Sequence, residues 1–269
     1  MKRIQTIYTP KGSAGQYSPL GLNPYTGCDH GCTYCYQASM IHRFQPGTDF
    51  NIIQPRPEYI ESLLLDAPKY AGCEQVMLCF GCDPYNPVND QLQLTRQSLK
   101  ILLANKICAA ILTKGGMKAA ADTDIILQFK KHIMVGTTPT FVRDADSRQH
   151  EPGAALPKER LAMIKHFHDL GVTTWTSFEP VIDPVQSLEL LEMYAPYTNI
   201  VKLGKINHDP KLERLIDWGK FLDDAVAIMR KYNKAFIIKS DLLKYNRGTF
   251  LNPWETNPRS LDVPPFNID

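Results

Sequence analysis

The chain lacks any apolar run long enough to cross a bilayer. Its longest, such as Gln75-Val76-Met77-Leu78-Cys79-Phe80, fall far short of the ~20 residues a spanning helix needs. No apolar stretch follows the charges of Met1-Lys2-Arg3-Ile4-Gln5-Thr6, so no secretory leader is expected. It also lacks charge of one sign: 30 Lys and Arg against 28 Asp and Glu leave +2, too little to announce a nucleic-acid or membrane-surface protein. Internal repeats, low-complexity tracts and linkers are missing too. With 43% hydrophobic and 22% charged residues, the composition is globular, and collagen-like, disordered and membrane-spanning classes are excluded. What it does not have, finally, is an even set of dispersed cysteines. There are seven, and three fall together at Cys28, Cys32 and Cys35. A disulfide scaffold is therefore excluded, and a reducing, cytoplasmic setting with a metal or redox centre is expected.

What is present is an alternation of short β-rich runs with helical patterns. Strands are predicted at Leu20–Tyr25, Gln75–Phe80, Ile107–Leu112, Ile133–Thr137, Val172–Ser177, Ile200–Leu203 and Ala235–Ile238, each bounded by Gly, Pro, Asp or Asn. Helices are predicted around Glu58–Leu65, Thr95–Ala104, Asp122–Lys131, Pro157–Leu170, Val185–Tyr194 and Lys211–Tyr232. Pro157 and Pro184 suit first-turn positions, and Gly171 follows Leu170 as a stop. Strands alternating with helices imply βαβ units with right-handed crossovers and a parallel sheet. A full eight-unit barrel takes ~250 residues, and the two ends of this chain look irregular. The expectation is an α/β fold, a partial (β/α)6-type TIM barrel, in a single domain over residues 1–269 with its core at about 18–240. Chemistry in such a fold sits where strands end.

The segment Asn23-Pro24-Tyr25-Thr26-Gly27-Cys28-Asp29-His30-Gly31-Cys32-Thr33-Tyr34-Cys35-Tyr36 follows the first strand and runs into a helix. Its spacing is Cys-x3-Cys-x2-Cys, and Gly27 and Gly31 permit the tight backbone that three converging thiolates require. Soft thiolates select iron–sulfur clusters, zinc or copper(I). A four-iron cluster ordinarily takes four cysteines, so three local ones would leave one iron open. Structural zinc needs four ligands, normally as two separated pairs. Cys79-Phe80-Gly81-Cys82 has the form of a pair, but adding it gives five thiols for four positions. Spacing favours iron–sulfur, and zinc with His30 as a fourth ligand stays open.

This motif, with aromatic Tyr34 before the third cysteine at the top of a first barrel strand, resembles the radical S-adenosylmethionine superfamily. The wider phrase resembles the branch containing spore photoproduct lyase and "DNA repair photolyase"-like proteins, as do Asp83-Pro84-Tyr85-Asn86-Pro87 and Leu112-Thr113-Lys114. The likeness runs over roughly residues 8–240. It implies a [4Fe–4S] cluster held by Cys28, Cys32 and Cys35, with S-adenosylmethionine on the fourth iron and Tyr34 beside it. One-electron reduction by an external flavodoxin- or ferredoxin-type donor would cleave that cofactor to a 5′-deoxyadenosyl radical, which abstracts hydrogen from substrate.

The resemblance also implies roles for strand-end residues. Asp83 would hold the cofactor's ammonium, as an alternative to capping the turn before Pro84. Lys114 matches a cofactor-contacting Lys in a Thr-Lys-Ser stretch, although Gly115 replaces the Ser, and a solvated loop lysine is the plain alternative. Thr137 or Thr138 would offer a hydroxyl to the ribose. Glu179, before Pro180, is the expected polar anchor for cofactor or substrate, the alternative being an ion pair in the barrel mouth; Lys202 and Asn207 are lesser candidates of the same kind. Photoproduct lyases use a cysteine hydrogen-atom donor near the second strand end. Neither thiol there aligns cleanly, since counting back from Asp83 puts Phe80 at the donor position; Cys82 is the expected catalytic thiol, and Cys79, one residue from Phe80, is predicted on the opposite side of the strand. Cys73, Cys79 and Cys108 also suit buried small hydrophobes.

Arg230–Arg247 holds six basic residues against one acidic, interleaved with Tyr232, Phe236 and Tyr245 and followed by Phe250 and Trp254. Basic groups with stacking platforms grip single strands or flipped bases, whereas a late basic helix is more often a solvated face. Three functions are carried forward: a radical enzyme acting on a nucleic-acid base or lesion, the same chemistry on a peptide or small molecule, and a zinc-stabilised nucleic-acid-binding module. The C-terminal part is short for a lesion-recognition domain, which counts against DNA repair. No membrane partner is expected.

Overall fold

The computed structural model describes residues 5–72, 74–207 and 209–266. Nine strands form: β1 (Leu20–Leu22), β2 (Tyr25–Thr26), β3 (Gln54–Pro55), β4 (Val76–Leu78), β5 (Ala109–Leu112), β6 (Ile133–Thr137), β7 (Thr173–Phe178), β8 (Ile200–Leu203) and β9 (Ala235–Ile238). Seven make one parallel sheet in the order β1-β4-β5-β6-β7-β8-β9, and β2 and β3 make a small antiparallel hairpin. All seven predicted strands are in the large sheet. Because the order is sequential, right-handed crossovers place the helices on one face and curl the other into the inside of a half-barrel. β1 and β9 are its edges, which is why the barrel is partial.

Strand alternation sorts the side chains. Val76, Leu78, Ala109, Ile111, Ile133, Val135, Val201 and Leu203 join the core under the helices, while Met77, Ala110, Met134, Trp175 and Ile200 point into the half-barrel. The chain ends complete that interior. Tyr17 sits 6.2 Å from Trp175, and the Lys202 ammonium donates to its carbonyl at 2.9 Å. From the other end, Val263 N–H donates to Gln75 Oε1 at 3.1 Å, Cys108 Sγ–H to the Pro264 carbonyl at 3.2 Å, and Phe266 stacks on His132 at 3.8 Å. Parts of the segments outside 18–240 that read as irregular, at Tyr17 and around Val263 and Phe266, therefore pack into the core.

Several predicted elements differ: the strand Gln75–Phe80 is only Val76–Leu78, and the helix Asp122–Lys131 is a short α-helix, Thr123–Gln128, between 3-10 turns. The strand Leu20–Tyr25 ends at Leu22, because Pro24 has no N–H for the ladder; Asn23 Oδ1 instead accepts from the N–H groups of Phe80 and Gly81, each at 2.8 Å. The helix Lys211–Tyr232 is two helices, Pro210–Leu215 and Trp218–Lys231, parted where Asp217 caps the second by accepting from Lys220 N–H at 3.0 Å. Short helices at Pro87–Leu92 and Asp144–His150 occupy segments that carried no helical prediction.

Candidate functional site

The cysteine loop leaves the hairpin strand β2 and ends where Cys35 becomes the N-cap of the helix Tyr36–Phe44. Gly27 and Gly31 are left-handed, with φ of 78° and 60°, as the tight loop requires. Cys28 N–H donates to the Phe50 carbonyl at 2.8 Å, and Cys35 N–H to that of Cys32 at 3.1 Å. The three thiols are free of disulfides and line one wall of a cavity of about 690 Å³ at the C-terminal ends of the strands. Burial pushes the Cys28 thiol up to about 12 and raises that of Cys32, against the pull of Lys114. Metal-free, these are thiols, and metal binding must release their protons. Among the described residues, no three His, Cys, Asp or Glu side chains are already gathered into a ligand cage. The donor set, three unpaired soft thiols facing one cavity, fits an iron–sulfur cluster.

Asp83 is nearly buried on the loop after β4. Its carboxylate accepts from Thr113 Oγ1 at 2.7 Å, Lys114 N–H at 2.8 Å and Tyr85 N–H at 2.9 Å, and stands 3.8 Å from His30 Nδ1 of the cysteine loop. It thus makes the predicted turn contact and also ties β4, β5 and the cysteine loop together at the cavity wall. Lys114 is not a solvated lysine: its ammonium contacts Cys32 Sγ at 2.8 Å and Tyr34 Oη at 3.0 Å. The Tyr34 ring lies under that ammonium, 4.9 Å away, and its hydroxyl donates to Glu151.

Thr137 donates to the Thr113 carbonyl at 2.7 Å from a fully buried position, and Thr138 is the threonine that lines the cavity. Glu179 lines it too, with both oxygens engaged: Asn207 Nδ2 donates at 2.8 Å, and the Tyr17 hydroxyl and the Lys239 ammonium take the other. Lys202 lies inside the half-barrel and is not a cavity residue. Cys79 and Cys82 both face the cavity. Cys79 is also buried in the core under the helices, whereas Phe80 packs against the half-barrel interior, the opposite sides that alternation predicts. Cys108 is buried in the half-barrel, and Cys73 lies outside the described residues.

The basic C-terminal stretch dissolves into pairs. Arg230 holds Glu255 through both nitrogens, Lys231 meets Glu192 at 2.8 Å, Lys244 meets Asp241 at 2.7 Å and Arg247 meets Asp217 at 2.8 Å. Lys234 donates to the Thr198 carbonyl at 3.0 Å, and Lys239 is buried on Glu179. Phe236 is core, while Phe250 and Trp254 are exposed.

Residues 22–196, well over half the chain, match the profile of the Radical SAM superfamily. The chain belongs to the radical SAM superfamily. Membership implies S-adenosylmethionine and an iron–sulfur cluster, the reading that the cysteine spacing favours over zinc. An uncharacterised protein of Mycobacterium bovis is 28% identical over 169 residues, covering 60% of this chain and 49% of that protein. This radical SAM chain thus spans about half the length of the curated relatives it matches first. Its fold is similar to that of a spore photoproduct lyase variant (TM-score 0.67, 13% identity, 88% of this chain and 79% of that one). It is also similar to Streptococcus suis SuiB in complex with the precursor peptide SuiA (TM-score 0.63, 13% identity, 84% and 49%). Both likenesses concern the fold.

Tyr17, which meets Glu179 at the cavity, escaped the sequence reading, and so did an ion pair beside the cavity. Glu151, between the helix Asp144–His150 and the one starting at Pro157, and Arg160, on that second helix, are both buried and form an ion pair at 2.6 Å beside Lys114. The one available signal was Glu-Pro-Gly at 151–153, an acidic residue beside turn formers in the loop after a barrel strand.

Proposed function

We propose that Cys28, Cys32 and Cys35 hold a [4Fe–4S] cluster with one iron open for S-adenosylmethionine. The observation that carries this is the placement of three unpaired thiols on one wall of a single cavity, with Asp83 and Lys114 on the adjoining strand ends. Bound there, the cofactor would supply hydrogen-abstracting radical chemistry, its S–C5′ bond cleaved with loss of methionine by one electron that an external flavodoxin- or ferredoxin-type donor passes through the cluster. The chain's own part is to bind, orient and exclude water. Asp83 offers a carboxylate, fixed by Thr113 and the Lys114 backbone, to the cofactor's ammonium. Lys114 contributes positive charge beside Cys32, and Thr138 offers a hydroxyl at the cavity wall. Met77, Phe80 and Leu112 close the floor and keep it dry. Cys82, which lines the cavity together with Cys79, is our candidate thiol for returning a hydrogen atom.

For the substrate, the side chains favour a small molecule or a peptide side chain that enters the cavity. The basic residues that argued for nucleic acid meet intramolecular partners at the surface, which weakens the case they make for it. The likeness to spore photoproduct lyase is what supports the other reading. In anaerobic reconstituted protein with dithionite and S-adenosylmethionine, 5′-deoxyadenosine should form. Each of Cys28→Ala, Cys32→Ala and Cys35→Ala should abolish it, and Cys108→Ala should not. A triplet variant that keeps full activity sinks the assignment. Ultraviolet-irradiated DNA that is repaired while stimulating cofactor cleavage overturns the small-substrate reading.

A further inference from the structure

Behind the cysteine loop lies a charged group that no strand-end position accounts for. The Glu151 carboxylate has no solvent exposure, and four donors converge on it. Tyr34 Oη, Thr140 Oγ1 at 3.0 Å and Lys114 Nζ at 3.3 Å meet one oxygen, and Arg160 Nη2 at 2.6 Å meets the other. Arg160 is fixed in turn, donating to the carbonyls of Thr138 at 3.0 Å and Ala155 at 2.7 Å. The same loop grips the cysteine loop through its backbone. Thr33 N–H donates to the His150 carbonyl at 2.9 Å, and Gly153 N–H to that of His30 at 3.0 Å. A buried carboxylate persists only where cations and donors balance it. Here the balance comes from Arg160 together with the lysine that touches Cys32 Sγ at 2.8 Å.

We infer that Glu151, braced by Arg160, is a positioning residue that holds the Lys114 ammonium against Cys32 and thereby sets the reduction potential of the cluster. This rests on the cluster assignment proposed above. Reduction adds one negative charge to a cluster, so a fixed cation beside a ligating thiolate favours the reduced form and raises the potential. In a poorly solvated site that charge is little screened. Glu151 acts through Lys114, since its own negative charge would lower the potential.

The test is a redox titration of the anaerobically reconstituted full chain, followed by electron paramagnetic resonance without S-adenosylmethionine, with iron and sulfide counted per chain. Lys114→Met should shift the midpoint to a more negative value with the cluster still bound. Glu151→Gln should shift it the same way, because the ammonium is released, and should give no further negative shift in the Lys114→Met background. A shift to a more positive value in Glu151→Gln, or none, overturns the inference: Lys114 would then be staying in place unaided. Should Glu151→Gln lose its fold by circular dichroism, Glu151→Asp keeps the charge and shortens the reach, and an unchanged potential there overturns it equally. Wild-type protein that takes up no iron overturns the cluster assignment itself, whereas iron-loaded wild type with unresponsive Glu151 variants overturns only this step.

Discussion

Glu179 shows how a strand-end carboxylate can serve the fold and still face the cavity. Its partner Lys239 is nearly buried, and burial lowers the lysine's pKa against the opposing pull of Glu179. Removing the carboxylate leaves that ammonium uncompensated. Glu179→Gln should therefore cost about 3 kcal/mol in urea unfolding of the metal-free protein. Unchanged stability with weakened S-adenosylmethionine binding would instead make it a ligand contact. Lys202 gives a pH signature. Burial, only partly offset by Asp262, lowers its pKa to about 8 from an ordinary 10.5. Between those values the folded chain binds fewer protons than the unfolded one, so this residue makes stability rise with pH, by about 1 kcal/mol per unit at most. Lys202→Met should flatten the rise between pH 8 and 10 in denaturation curves; an equally steep rise in the variant would assign it to other groups.

At the scale of elements, the cysteine loop was legible because its three cysteines lie within eight residues at a spacing that soft-metal chemistry uses. Asp83 and Lys114 were legible because strand ends announce themselves by composition. The clamp was not. Glu151 lies 117 residues from Tyr34, and only the packing of the loop after β6 against the loop after β2 brings them together. The hydrophobic period likewise ran unbroken through Ile216 and hid the break that Asp217 caps. The clamp makes its own prediction. A Cβ at Gly153 would stand 2.2 Å from the Asp29 carbonyl, closer than atoms approach. Gly153→Ala should push the loops apart and reduce iron uptake severalfold while far-ultraviolet circular dichroism stays native, and Ala154→Gly should not. Full iron loading in Gly153→Ala would show that the cysteine loop forms without the clamp.

At the scale of the whole molecule, the sequential sheet order explains why one cavity collects every side chain of interest. Seven parallel strands direct their C-terminal ends to the same side, and the half-barrel beneath is filled by Tyr17 from one end of the chain and Val263 and Phe266 from the other. Those ends read as irregular because extended segments packed inside a barrel carry no periodic pattern. Their role depends on a sheet that forms elsewhere. The resulting cavity has soft thiols on one wall and a fixed carboxylate and ammonium beside them, the elements that a charged sulfonium cofactor and a cluster require. The most direct test is electron paramagnetic resonance of anaerobically reconstituted, dithionite-reduced protein, recorded with and without S-adenosylmethionine. The account predicts a reduced-cluster signal whose g-values move when the cofactor is added, because the cofactor takes the open iron. A signal that does not respond to the cofactor, or a silent sample rich in zinc, would contradict it.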